Sequence, residues 1–223
     1  MMFTVHISVE GQTEETFVTE VLRPHFQERG LWLNPVIVKT RRLSGKPTNK
    51  GGSVPYNKVK KELLNLLGDT SAKAVTTMYD FYALPHDFPG YSQLPQGNGA
   101  ERVTYLERKL RNDVDNPRFH PYLQLHEFEA LLFTDPQEIY KRLSGTEAQL
   151  DKLKQIRKNF HTPEDINEGR QTAPSKRLRS IFPGYQKTVH GSLITMEIGL
   201  ETLAAACPHF AQWLTWLESL APR

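Results

Sequence analysis

Five carboxylates stand out by where they fall in the chain. Glu10 follows the alternating stretch Phe3–Val9, with Gly11 behind it and Glu14 one helical turn further on. Asp80 closes the apolar run Ala74–Tyr79, and Glu127 and Glu129 come just after Phe119–Leu125. Acids gathered from separate parts of a chain repel, and some take up protons unless a cation neutralises them. Mg2+ or Mn2+ is the natural counter-ion, being hard, oxygen-liganded and content with two or three carboxylates plus water. Such a site serves phosphoryl-transfer chemistry by polarising a phosphate and activating water. Each acid alone has an ordinary structural reading. Glu14 and Glu15 favour a helix N-terminus through the dipole, and Asp80 suits an Asx turn. The shared position at strand ends is what raises the group above its members.

That position depends on the elements around it. Phe3–Val9 has the period-two pattern of a strand, and Thr13 opens a helix with Phe17, Val18, Val21 and Leu22 on its apolar face, expected to end near Gly30. Asn34-Pro35 is expected to break the chain before a short strand Val36–Val38. Val59, Leu63, Leu64, Leu66 and Leu67 mark a second helix with Gly68 as its C-cap, and Ala74–Tyr79 a third strand. Phe81–Gly99 is loop by composition, Ala100–Asn112 a helix, Phe119–Leu125 a fourth strand and His126–Phe133 a helical start. Strand and helix thus alternate four times, which points to an α/β fold with a mostly parallel four-stranded sheet. In such sheets ligands bind beyond the carboxyl ends of the strands, where these acids lie. From Asp135 the pattern is helical and broken, over 136–143, 147–159, 176–181 and 194–220. The chain divides into an α/β domain (1–134) and a helical extension packed on it (135–223).

Composition narrows the class. The chain has 223 residues, 38% hydrophobic, one cysteine (Cys207) and a formal net charge of +3. A single cysteine excludes an internal disulfide framework and a Cys-based zinc site. No apolar run reaches the roughly 18–20 residues of a membrane span, and MMFTVHISVE has no signal-peptide pattern, so a cytoplasmic protein is expected. His6, His86 and His126 have no zinc-binding spacing, and there is no GxxxxGK[ST] loop for ATP. Between Lys39 and Lys61 there are eight basic residues and no acidic one. This Gly- and Pro-containing segment, with Arg41, Arg42 and Lys46, could follow a phosphate backbone or be a solvated loop.

The stretch Val9-Glu10-Gly11-Gln12-Thr13-Glu14 resembles the first motif of the TOPRIM fold of topoisomerases, primases and the OLD and RloB-like nucleases. VEGQTEETFV, DFYALPHDFPG, QLHEFEALLF, TAPSKRL and CPHF together resemble an uncharacterised TOPRIM-like family often encoded beside an SMC/ABC-type ATPase. The resemblance implies a TOPRIM-like Rossmannoid and places the motif glutamate on Glu10, a second acid on Glu14, the aspartate on Asp80 and a later glutamate on Glu127 or Glu129. Tyr82 stands where the motif has its second aspartate, leaving one or two ions open, with Asp87 a possible substitute.

A metal-dependent nuclease also needs cations. Lys176 is the candidate for transition-state charge, Arg177 and the basic loop for phosphate contacts, and His190 a further acid or base. Phe81, Tyr82, Phe88 and Tyr91 could stack on unpaired bases or form the loop's own core, whereas Trp213, Trp216, Leu217 and Leu220 read as core or a partner surface. The expected protein is thus a Mg2+/Mn2+-dependent nuclease on DNA or RNA, with antiphage defence and an ATPase partner implied by the resemblance alone. The alternatives are a non-catalytic module docking an ATPase or nucleic acid, and a primase-type nucleotidyl transferase.

Overall fold

The computed structural model describes residues 2–38, 55–167, 169 and 171–222. Arg41, Arg42 and Lys46 of the basic loop lie outside them. The sheet has the order β2-β1-β3-β4, with every pair parallel. β1 (Phe3–Val9) and β3 (Ala74–Asp80) are its central strands, and Val5–Val9 and all of β3 are buried on both faces. This is why both read as nearly continuous apolar or β-branched runs.

β2 (Leu31–Ile37) runs through Asn34-Pro35 instead of beginning after it. Proline is tolerated there because β2 is the edge strand, so no further strand needs its missing N–H. The fourth strand is interrupted: β4 (Phe119–His120) and β5 (Leu123–Gln124) both pair with β3. Between them lie Pro121 and Tyr122, and the Thr77 hydroxyl bridges the gap. It donates to the Tyr122 carbonyl at 2.8 Å and accepts from the Tyr122 N–H at 2.9 Å.

The first helical segment is α1 (Gln12–Phe17), a π turn (Val18–Leu22) and α2 (Arg23–Gln27). Pro24 lacks the N–H that would reach the Glu20 carbonyl, so the ladder is broken where the π turn lies. Gly30, at φ 79°, then turns the chain into β2. α3 (Tyr56–Leu67) ends on Gly68 in ordinary right-handed geometry (φ −65°), not as a left-handed cap. α4 (Gly99–Val114) starts with a capping box between Asn98 and Glu101. The segment after β5 is a 3-10 helix, Phe128–Thr134, where an α-helical start was expected.

The second half contributes α5 (Pro136–Arg142), α6 (Glu147–Lys158), α7 (Pro174–Ile181), a π turn (Lys187–Gly191), α8 (Ser192–Ile198), α9 (Leu200–Ala206) and α10 (Pro208–Ser219). Leu178, Leu203, Phe210, Trp213 and Leu217 share one hydrophobic cluster with Val5, Ile7, Val9 and Phe17. The opposite face of the sheet is covered by α3 and α4 through Leu63, Val103, Leu106 and Leu110. Trp213 stacks on Tyr122 at 4.4 Å and donates its indole N–H to Thr76, tying α10 to the sheet. Among the described residues no helix is long and apolar enough to cross a membrane.

Candidate functional site: a carboxylate cluster at the sheet edge

β1 and β3 are adjacent and parallel, so their ends deliver Glu10 and Asp80 side by side. The Glu10 carboxylate accepts the Asp80 N–H at 2.9 Å. Glu14 lies one turn into α1 and Glu129 in the 3-10 helix after β5; Glu14, Asp80 and Glu129 are 3%, 5% and 1% exposed. Asp80 Oδ1 accepts from the Phe128 N–H at 2.8 Å, which joins the strand end to that 3-10 helix.

The centre of this group is a lysine. Lys187 Nζ lies 2.8 Å from Asp80 Oδ2, 3.1 Å from Glu14 Oε1 and 3.5 Å from Glu129 Oε2. It comes from the π turn after α7, at the far end of the chain. That turn sits close because Gly191 has no side chain: a Cβ there would meet the Phe128 ring at 3.1 Å and Thr13 at 3.3 Å. The Ser192 hydroxyl also donates to the Thr13 carbonyl at 3.2 Å.

The charges do not balance. Four carboxylates face one ammonium, and Glu14 Oε1 and both Glu129 oxygens are buried without a well-formed hydrogen bond. Burial pushes Glu10 well above the usual carboxylate range, and Asp80 and Glu14 push it further. Glu14 is raised by burial against the pull of Lys187. Glu129 is pushed up to about 7 by burial, with Asp80 and Glu127 adding to it and Lys187 opposing. Burial disfavours the Lys187 ammonium, but Asp80, Glu129 and Glu14 outweigh it and hold the lysine protonated.

Hard oxygens without well-formed hydrogen bonds among several carboxylates match the donor chemistry of Mg2+ or Mn2+. Their arrangement, however, is built around the ammonium. Among the described residues no set of three or more His, Cys, Asp or Glu side chains stands ready-made for a metal ion. Lys187 holds the point on which the oxygens converge.

The other sequence candidates fall elsewhere. Glu127 turns away, accepting the Ser175 N–H at 3.0 Å at the start of α7. Asp87 does not reach the cluster in place of a second motif aspartate, because both its oxygens face the Tyr56 N–H. Lys176 lines a cavity with Tyr82, Arg102, Glu127 and Asn167, and makes no ion pair with the cluster. Arg177 donates to the Thr172 carbonyl and lies over the Phe160 ring. His190 accepts from the Gln186 N–H. Lys187 was missed by sequence reasoning, since it stands in no helical or strand pattern. The only signal is its place three residues before His190-Gly191, which the reading did single out.

A family model described as a domain of unknown function, DUF4276, matches residues 9–218. The chain belongs to this family. Its match takes in every member of the cluster, from Glu10 to Lys187. No curated protein matches this DUF4276 chain. Among solved structures it is similar to the C-terminal region of the Burkholderia pseudomallei OLD protein, at 14% identity over 99% of this chain and 100% of that one, with a TM-score of 0.46. It is also similar to the C-terminal region of the Xanthomonas campestris pv. campestris OLD protein, at 16% identity over 95% and 96% of the two chains, with a TM-score of 0.37.

Proposed function

We propose that this DUF4276 chain is a Mg2+- or Mn2+-dependent nuclease that cleaves nucleic-acid phosphodiesters at the carboxylate cluster. The observation that carries the reading is that three buried carboxylates from separate segments of chain share one ammonium, while Glu14 Oε1 and both Glu129 oxygens have no well-formed hydrogen bond. A structural cluster is expected to satisfy its acceptors, because an unsatisfied buried oxygen costs about 1–3 kcal/mol. Asp80, Glu14 and Glu129 would hold the metal, which when bound supplies charge neutralisation and an activated water.

The chain's own groups do the rest. Glu10, tied to the Asp80 N–H, fixes that strand end and is the nearby carboxylate able to take a proton. Lys187, held protonated by its neighbours, brings the positive charge that a phosphorane-like transition state needs, the part that the sequence assigns to Lys176. An ammonium and a divalent ion compete for the same oxygens, so Lys187 must give up part of its contacts for the ion to bind. The TOPRIM assignment, the ATPase partner and a role in antiphage defence stand on the sequence resemblance.

One observation favours the second reading, a non-catalytic module: Lys187 already fills the centre. The two are separated by calorimetry and cleavage assays in Mn2+. A nuclease takes up the ion and cuts single- or double-stranded substrate. Asp80→Asn then loses at least about 100-fold in cutting rate while the fold still melts cooperatively. Ion uptake and cutting that survive Asp80→Asn unchanged would reject the site.

A further inference from the structure

A second candidate site is built on Tyr82 and Glu127, each two residues along the chain from a member of the cluster, Asp80 and Glu129. It is a cavity of about 730 Å³ lined by Tyr82, Arg102, Glu127, Asn167 and Lys176. Its volume is in the range of small-molecule pockets, roughly 300–1,000 Å³. Each side chain has a definite character. Tyr82 is 40% exposed, a large ring left in the open, backed by Phe81 at 5.7 Å and His126 at 5.2 Å between ring centres. Arg102 on α4 has its Nε buried with no hydrogen-bond partner. A buried guanidinium N–H without an acceptor is costly, and it leaves Arg102 a donor that the fold does not use. Lys176, at the start of α7, is exposed and adds a second positive charge to the same wall.

His126, the residue behind Tyr82, has a left-handed backbone with φ 61°. The strained turn lets its carbonyl accept the Tyr82 N–H at 3.2 Å, and its ring fills the space over Gly99, where a Cβ would come within 2.8 Å of it. Backbone strain of this kind persists where its surroundings enforce it, and it often marks a ligand site. Here it props up the aromatic wall.

We infer that this cavity is a nucleotide subsite, binding one unpaired nucleotide with its phosphate on Arg102 and Lys176 and its base stacked on Tyr82. Arg is suited to phosphate because its N–H fork matches two oxygens at once. Any base has a π face, so stacking on Tyr82 tolerates sequence. Glu127, whose Oε2 is fixed by the Ser175 N–H, has its other oxygen available for a sugar hydroxyl, and the Asn167 amide can meet a base edge. The inference rests on the nuclease reading for its biological sense: it makes the preferred substrate single-stranded, or a strand end, next to the cutting centre.

The test is calorimetry without divalent ion, so that it does not depend on the cluster. Adenosine 5′-monophosphate should bind, and ribose 5-phosphate should bind roughly tenfold more weakly for lack of a base to stack. Tyr82→Ala should bring the nucleotide down to the ribose phosphate level, whereas Tyr82→Phe should keep it. Arg102→Met should weaken both ligands by roughly tenfold or more, with melting curves confirming that each variant is folded. Equal binding of the two ligands, indifference to Tyr82→Ala, or no binding at millimolar nucleotide would each overturn the subsite. The unmutated protein, assayed for nucleotide binding and for cutting, separates the two readings. If nucleotide binds while Mn2+-dependent cutting is never found, the nuclease reading falls and the subsite stands; cutting without nucleotide binding gives the reverse.

Discussion

Two regions of the molecule bury carboxylates, and they treat them in opposite ways. Near the start of α10, Glu164 is 2% exposed and accepts from the His209 and Phe210 N–H groups at 2.9 and 3.1 Å. Beside it Glu107 accepts from the Leu123 N–H at 2.8 Å and meets the His209 ring at 2.9 Å. Each of these acids is placed against donors and holds a helix or strand where it is. At the sheet edge Glu14 and Glu129 are equally buried, yet their oxygens lack well-formed hydrogen bonds and share one ammonium. The first region is an acid used as a fastening. The second retains acceptor capacity that the fold does not consume, and that difference, not burial itself, separates a candidate binding centre from scaffolding.

The sharpest way to break this comparison is to remove Lys187. Lys187→Met leaves Asp80, Glu14 and Glu129 buried without their cation, a change of the order of 3 kcal/mol, moderated as the carboxyls take up protons. Thermal melting should show the loss, and millimolar Mn2+ should restore much of it if the oxygens can bind an ion. Destabilisation with no recovery in Mn2+ would class the cluster with the Glu164 region. Next in size is Glu164→Ala. It strips two N–H groups at the head of α10 of their acceptor and should cost about 2 kcal/mol, a fall of some 4–8 °C in melting temperature for a chain of this length. Mn2+ should return none of that.

How much of this was legible depends on which forces placed each residue. Glu10 and Asp80 could be found because strand period and the rule for parallel sheets both act locally, and the sequence carries them in full. Glu129 could be found only as one of a pair. The choice between it and Glu127 turns on where the 3-10 helix begins: Glu127 is the extended residue before it and Glu129 lies in its first turn. Lys187 was not legible: its place depends on Gly191 packing against Phe128 and Thr13, a contact between residues far apart in sequence. The same holds for β2, where Pro35 looks like a breaker until the topology makes β2 an edge. Lys176, expected to meet the transition-state charge, lies in the first turn of α7 on a cavity wall, away from the ion pairs of the cluster.

The smallest effect concerns two histidines, and it extends the contrast to pH. Glu107 and Glu164 act on His209 against burial and raise it above the ordinary histidine value, so it stabilises the fold at low pH and loses that contribution as pH rises through its folded pKa. His126 behaves oppositely. Burial, reinforced by Arg102 and opposed by Asp165, lowers it to about 4. The unfolded chain then binds a proton between about 6.5 and 4 that the folded chain refuses, so stability must fall as pH drops through that window. The loss at pH 5.5 is about 1 kcal/mol. His120, also lowered to about 4, shares the window. His126→Asn keeps a residue that accepts left-handed backbone but does not titrate. Between pH 7.5 and 4.5 the melting temperature of the variant should therefore lose less to acid than that of the parent, with His120 acting in the same sense as His126 and the raised Glu129 and His209 in the opposite one in both proteins. Identical slopes would mean that His126 is open to protons in the folded state, and the wall behind Tyr82 would then be looser than its packing on Gly99 implies.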